Sequence, residues 1–303
     1  MRLAVLFSGQ GQQTADHLTF LRESADAGLS SELAIALADA WDSKGSEALD
    51  LSVNVVAQPL IFGFEMAWWE KLFPLLPTPI CAAGYSLGEM AACAAAGLFS
   101  SKGGVALCHE RATLMDSNTS FPVAMLAVLG VDEEKVVAVA FEYGLAIAIR
   151  NSPTHFVVTG PESLVNEAEK SFKSAGATKL TPVSVRTPSH TNFLKEASDN
   201  FATSLAPFVQ GSLKFPVISA VTGKMAFTAK DAATALAVQI SSMLHWDEAM
   251  ETIVELQPDA VLEIGPGNAL SKMFADFAPS VPVRSVCDFK GAQGVLAWLE
   301  RFN

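Results

Sequence analysis

Between residues 81 and 97 the chain reads CAAGYSLGEMAACAAAG: small apolar residues, a serine with a glycine two places to either side, then an alanine-rich stretch. The apolar run that ends in glycine fits a short buried strand, and EMAACAAAGLF fits a helix closed near Gly97. Strand, tight turn, helix is the building unit of a parallel α/β layer. The glycines at 84 and 88 also have a chemical reading. A serine on such a turn takes a strained backbone that flanking side chains would obstruct. Its hydroxyl then stands at a helix N-terminus, where the next backbone N–H can stabilise an oxyanion. Ser86 is therefore a candidate nucleophile, and the plain alternative is a strand-to-helix corner without chemistry.

The flanking sequence extends the α/β pattern. RLAVLF reads as a compact strand that ends in the glycine turn SGQGQQT, a loop able to aim backbone N–H groups at a ligand. Residues 21–72 alternate helix-like apolar spacings with polar breaks. QPLIFGFEMAWWEKLF reads as an aromatic-rich helix whose Trp68 and Trp69 are packing residues, and SKGGVALCHERATLMDS as another helix. From Phe121 the texture changes. FPVAMLAVLG, AIAIRNSPTHFVVTG and TKLTPVSVR are strand-like, DEEKVVAVAFEYG and PESLVNEAEKSFKSAGA helix-like. Strand, helix, strand, strand, helix, strand is the ferredoxin-like arrangement. Residues 121–186 are thus expected to form an inserted small domain, with 1–120 plus 187–303 making the larger α/β domain. The latter resumes at TPSHTNFLKEASDNF and contains the strands FPVISAV and DAVLEIG and the helix NALSKMFADF.

Length and composition agree. A chain of 303 residues exceeds the usual reach of one hydrophobic core. It is 50% apolar and 17% charged, which fits a globular protein and not a disordered, collagen-like or coiled-coil one. The net charge of -12 repels nucleic acid and anionic lipid, so an acidic partner requires a local basic patch. Cys81, Cys93, Cys108 and Cys287 show no CxxC pairing and read as buried free thiols in a reducing compartment. The opening MRLAVLFSGQ is too short for a signal peptide. The longest charge-free stretch, 72–88, contains Pro74, Pro77 and Pro79 and cannot cross a bilayer as a helix. The expected location is the cytoplasm.

A serine needs a base to take its proton. Of the five histidines, His17 and His155 lie in polar loop-like contexts, His109 in a helix beside Glu110 and Arg111, and His245 before Trp246 near a helix start. His190 follows a Pro-containing turn where the large domain resumes. Spacing alone does not single it out. The glycine loop SGQGQQT lacks the third glycine of a dinucleotide fingerprint, and too little chain follows LEIGPGNAL for a nucleotide-binding half to begin there.

Taken together, SGQGQQ at 8–13, GYSLGE at 84–89, Arg111, TPSH at 187–190, Gln239 followed by Trp246, and EIGPGNAL at 263–270 resemble, in order, the motifs of malonyl-CoA:acyl-carrier-protein transacylases. The resemblance covers nearly the whole chain. It implies an α/β-hydrolase-like large domain with an inserted ferredoxin-like small domain. It makes Ser86 the nucleophile, His190 its base, and the N–H groups of Gln10 and Leu87 the oxyanion hole. Arg111 would bind the free malonyl carboxylate, Gln239 would orient the histidine through its backbone carbonyl, and Asn151 of AIAIRN would support the site. The implied substrates are malonyl-CoA, a CoA thioester, and an acyl carrier protein, with no metal and no redox cofactor. Because carrier proteins are acidic, Lys102, Arg186 and Lys195 are candidates for a docking patch.

The chain departs from the fatty-acid-synthesis members at Tyr85, where they usually carry His, and at Leu194, where they carry Met. GYSLGE, AIAIRN, SHTNFL and GVLAWLERF look more like the malonate decarboxylase branch, whose epsilon subunit performs this transfer. Other subunits of that complex are then further expected partners. A fatty-acid-synthesis transacylase and a serine hydrolase on the same elbow are the alternatives.

Overall fold

The computed structural model describes residues 1–26, 37, 50–209 and 211–302. The helical spacings read over 21–72 fall in part on 27–36 and 38–49, outside the described residues. In chain order the strands are β1 (Leu3–Phe7), β2 (Cys81–Gly84), β3 (Val123–Leu129), β4 (Ala146–Ser152), β5 (His155–Pro161), β6 (Lys179–Val183), β7 (Val217–Ile218), β8 (Met225–Ala226), β9 (Leu244–His245), β10 (Ala260–Ile264) and β11 (Val283–Ser285).

Two sheets result. The larger has the order β11, β10, β1, β2, β7, β8. β1 lies between β10 and β2, with Leu3 opposite Ala260 and Ala4 opposite Cys81. These pairs are parallel, as are β10 with β11 and β2 with β7, whereas β8 runs antiparallel to β7. Every residue of β1, β2 and β10 is buried, as a parallel sheet covered on both faces requires. Alternation along β1 serves two cores. Leu3, Val5 and Phe7 join a core with the helix Asn54–Leu72, whereas Ala4 and Leu6 face a second core. Trp68 and Trp69 are buried packing residues, as read from the sequence, with Trp68 stacked on Phe20 at 5.6 Å and Trp69 edge-on to Phe7 at 6.0 Å.

The smaller sheet has the order β6, β3, β5, β4, β9. β3 pairs antiparallel with β5 and β6, and β4 antiparallel with β5, which is the ferredoxin-like order. One face packs under the helices Glu133–Glu142 and Glu162–Ser174 through Leu126, Val128, Phe156 and Val158. Met125, Ile149 and Val157 point the other way, into the core shared with Ala4 and Leu6. The two sheets therefore share a core, and a cavity is left at its edge.

The fifth strand, β9, comes from outside 121–186 and pairs in parallel with β4, Ile149 opposite Leu244. A two-residue strand carries no period to read. Arg150 reinforces the junction, its Nε 2.7 Å from Asp247 and its Nη2 2.8 Å from Glu248. Cys81, Cys93 and Cys108 are buried free thiols, but Cys287 is exposed, against expectation. No helix among the described residues is long and apolar enough to cross a membrane.

Candidate active site

Ser86 sits on the turn between β2 and the helix Gly88–Ala95 with φ +53°, a left-handed conformation that a serine adopts only when its surroundings impose it. Both glycines are steric necessities. A Cβ on Gly84 would lie 2.1 Å from the Glu89 nitrogen, and one on Gly88 would lie 2.1 Å from the Phe7 carbonyl oxygen. The elbow is pinned to β1 as well, because the Tyr85 N–H donates to Phe7 O at 3.0 Å.

His190 arrives from a remote segment. Its Nε2 is 2.7 Å from Ser86 Oγ and its Nδ1 is 2.6 Å from the Gln239 carbonyl oxygen. A carbonyl only accepts, so the proton is on Nδ1, and Nε2 is left to accept from the serine hydroxyl. The Gln239 side chain also donates to Ser86 O at 2.9 Å, so this residue holds both members of the pair. His190 has φ +63° and its N–H donates to Ile240 O at 2.9 Å. Burial pushes its pKa down to about 3; the Gln239 carbonyl opposes the shift and the Arg111 charge adds to it. The ring is neutral at neutral pH, the state in which it can accept a proton.

Arg111, in the helix Ser101–Ser117, is 1% exposed. Nη1 donates to Gln58 Oε1 at 2.8 Å, whereas Nε and Nη2 have no partner. Burial draws its pKa down to about 10, with Cys108 and Glu89 opposing, so it stays charged at neutral pH. A buried cation with two idle donors costs stability, roughly 1–3 kcal/mol for each neutral donor and more for a charged one. Its open donors can accept an anion, and their fork matches the geometry of a planar carboxylate.

All these groups open onto one cavity of about 250 Å³, which Ser86, His190, Arg111, Gln10, Leu87 and Asn151 line. Among the described residues the backbone N–H groups of Gln10 and Leu87 have no acceptor. Asn151 is buried, with its Oδ1 unbonded and its Nδ2 3.4 Å from His155 Nε2. Gln239 stands behind the cavity. Tyr85 lines it and packs edge-on to Trp246 at 5.2 Å. Leu194 lies in the large core, away from the cavity wall, so that departure is a packing change. Of the basic residues, Arg186 adjoins the lining residues Val185 and Thr187. Lys195 is paired with Asp199, and Lys102 stands about 13 Å up the helix from Arg111.

Sequence reasoning missed three supporting residues. Gln58 holds Arg111; a glutamine before a proline in the otherwise apolar run 55–64 was the available signal. Glu89, inside the elbow motif, has its carboxyl pushed up to about 8 by burial, with the Ala220 N–H and Arg111 opposing. Its Oε2 accepts from Gln239 Nε2 at 3.4 Å. Asn54 bonds to Gln10, and nothing in the sequence marked it.

Comparisons with known proteins converge on one family. Residues 6–288 match the acyl transferase domain. A curated relative, the malonyl CoA-acyl carrier protein transacylase of Haemophilus influenzae, is 28% identical over 97% of this chain and 99% of its own length. Among solved structures, a type II PKS acyl-carrier protein in complex with its malonyl-transacylase is 28% identical, with a TM-score of 0.87 over 98% of this chain and 99% of that one. The malonyl CoA-acyl carrier protein transacylase of Coxiella burnetii is 25% identical, with a TM-score of 0.88 over 100% of this chain and 98% of its own. With the α/β fold shared and the family model spanning nearly the whole sequence, this chain belongs to the acyl transferase domain family and is an acyltransferase.

Proposed function

We propose that this protein transfers a malonyl group from CoA to the phosphopantetheine-type thiol of an acyl carrier protein through a malonyl ester on Ser86. The observation that carries the reading is Arg111, a buried guanidinium with Nε and Nη2 unbonded, on the same cavity as the Ser86–His190 pair. Malonyl differs from acetyl by a carboxylate, and that carboxylate satisfies both donors. A substrate without it leaves the charge unpaired, which favours malonyl by orders of magnitude.

The chemistry is ping-pong. Ser86 Oγ attacks the thioester carbonyl as its proton passes to His190 Nε2, and the Nδ1–H stays on the Gln239 carbonyl. The oxyanion is held by the N–H groups of Gln10 and Leu87. The C–S bond then breaks, and the CoA thiolate leaves with the proton from Nε2. The carrier thiol repeats the sequence in reverse. Substrate also tunes the base: Arg111 lowers the His190 pKa, so a carboxylate paired with the guanidinium raises it towards its ordinary value. Nothing in these steps calls for a metal or redox cofactor.

The carrier as partner is supported by the names of the relatives and by the complex of a malonyl-transacylase with its carrier protein. We place the two domains at 1–120 plus 187–303 and at 121–186, with β9 lent across the boundary. Reliance on CoA thioesters favours the cytoplasm. The narrower reading is the epsilon subunit of malonate decarboxylase, supported by the likeness of the stretches around Tyr85, Asn151 and Leu194. Service to fatty acid synthesis is its rival.

Malonyl-CoA and holo carrier protein test the reading directly. The expected result is malonyl-carrier formation that Ser86→Ala abolishes. Hydrolysis of malonyl-CoA at the same rate with or without the carrier would replace the transferase by a serine hydrolase. A kcat/KM higher with the decarboxylase carrier than with the fatty-acid carrier favours the narrower reading, and the opposite order favours its rival.

A further inference from the structure

The helix Asn54–Leu72 begins with a buried asparagine that the chemistry above does not use. Asn54 is 6% exposed, lines the cavity, and is remote in sequence from its bonding partners. Its Oδ1 accepts from Gln10 Nε2 at 3.1 Å. Its Nδ2 donates to Asp116 Oδ1 at 2.5 Å and reaches Thr187 Oγ1 at 3.5 Å, and Thr187 Oγ1 meets Ser189 Oγ at 3.1 Å. A carboxylate can only accept, so Asp116 dictates which end of the amide carries nitrogen and leaves the oxygen for Gln10.

Each partner belongs to a segment that carries part of the chemistry. Gln10 presents a proposed oxyanion N–H. Asp116 lies in the last turn of the Arg111 helix. Thr187 stands just ahead of His190, whose left-handed φ must be held by its surroundings. We infer that Asn54 is a positioning residue whose amide sets the oxyanion loop, the arginine helix and the histidine segment in register around Ser86. The inference rests on the roles proposed for Gln10 and His190, but not on the identity of the acyl group.

The polarity of the Asn54–Asp116 pair can be reversed, which gives the test. Asn54→Asp sets two carboxyl groups face to face; adding Asp116→Asn restores a donor opposite an acceptor. The readout is the rate at which a fluorophosphonate probe labels Ser86 in the full chain. That rate reports the alignment of serine, base and oxyanion donors without any acyl thioester. Asn54→Asp is expected to slow labelling by about tenfold, as opposing a buried acceptor to a half-buried one does. Asp116→Asn alone should change little, and the double variant should return to the rate of Asp116→Asn. With malonyl-CoA kcat should fall in step with labelling, and KM should rise because the arginine helix shifts too.

An Asn54→Asp protein that labels at the wild-type rate overturns the inference, and so does a double variant as slow as Asn54→Asp. A lowered unfolding midpoint with an unchanged labelling rate overturns it too, since that is the mark of a merely structural bond. Should Asn54→Asp fail to fold, the double variant decides alone: it must fold and label at the rate of Asp116→Asn. A chain that shows this labelling pattern yet ignores malonyl-CoA upholds the inference and sinks the substrate reading.

Discussion

At one end of the cavity Ser86 and His190 are fully bonded before any substrate arrives: Oγ to Nε2, Nδ1 to the Gln239 carbonyl, and the Gln239 amide to Ser86 O. At the other end Arg111 is bonded through Nη1 alone and holds Nε and Nη2 open. In the proposed mechanism the two ends divide the labour. The reactive end is assembled by the fold before any thioester arrives, and an acyl group touches its base only through the charge on Arg111. The recognition end is completed only by a ligand that brings an anion, and it decides which thioester that is.

The comparison can be broken at either end. His190→Ala should slow acylation of Ser86 by about 10⁴-fold for every thioester, because the loss of a general base is indifferent to the acyl group; the burst of free CoA thiol reads it. A loss confined to malonyl-CoA would show that the two ends are not separate. Arg111→Ala should cost malonyl-CoA about 10²-fold to 10⁴-fold in kcat/KM, as expected for an ionic partner worth roughly 3–5 kcal/mol. It should leave acetyl-CoA unchanged or faster. Equal losses on both substrates would assign Arg111 to the reactive end.

Two smaller effects sharpen the division. Gln58→Ala removes the one bond on Arg111 and should lower malonyl kcat/KM by about tenfold, the worth of a single buried hydrogen bond, without affecting acetyl-CoA. Acidity should leave the reactive end alone. The folded pKa of His190, about 3, lies below the ordinary 6.5, so the neutral base persists and the free enzyme shows no inflection near 6.5. Fluorophosphonate labelling should stay flat from about pH 8 to about pH 5. The stability that this neutral ring contributes is complete above 6.5 and is lost as pH falls towards 3, because the unfolded chain takes the proton first.

How much of this was legible depended on whether a residue's role is set by its neighbours in sequence. The elbow could be read directly, since Gly84 and Gly88 meet atoms at 2.1 Å that lie within the turn or on the adjacent β1. The small sheet could be read because its strands and helices follow one another with clear periods. His190 could be found only through the resemblance, for its bonds run to Ser86 and Gln239, which no local pattern links. Asn54 and Glu89 were missed for the same reason, and β9 because two residues are too few to show alternation. Cys287 was misread as buried from residue type alone, although the adjacent Asp288 marks the short helical turn, Val286–Asp288, on which the thiol is exposed.

The central claim is a malonyl ester on Ser86, and mass spectrometry of the intact protein after mixing with malonyl-CoA tests it most directly. The account predicts a gain of one malonyl group, mapped by proteolysis to the peptide that contains Ser86 and absent from Ser86→Ala. An adduct that survives Ser86→Ala, or that maps to another residue, would contradict it.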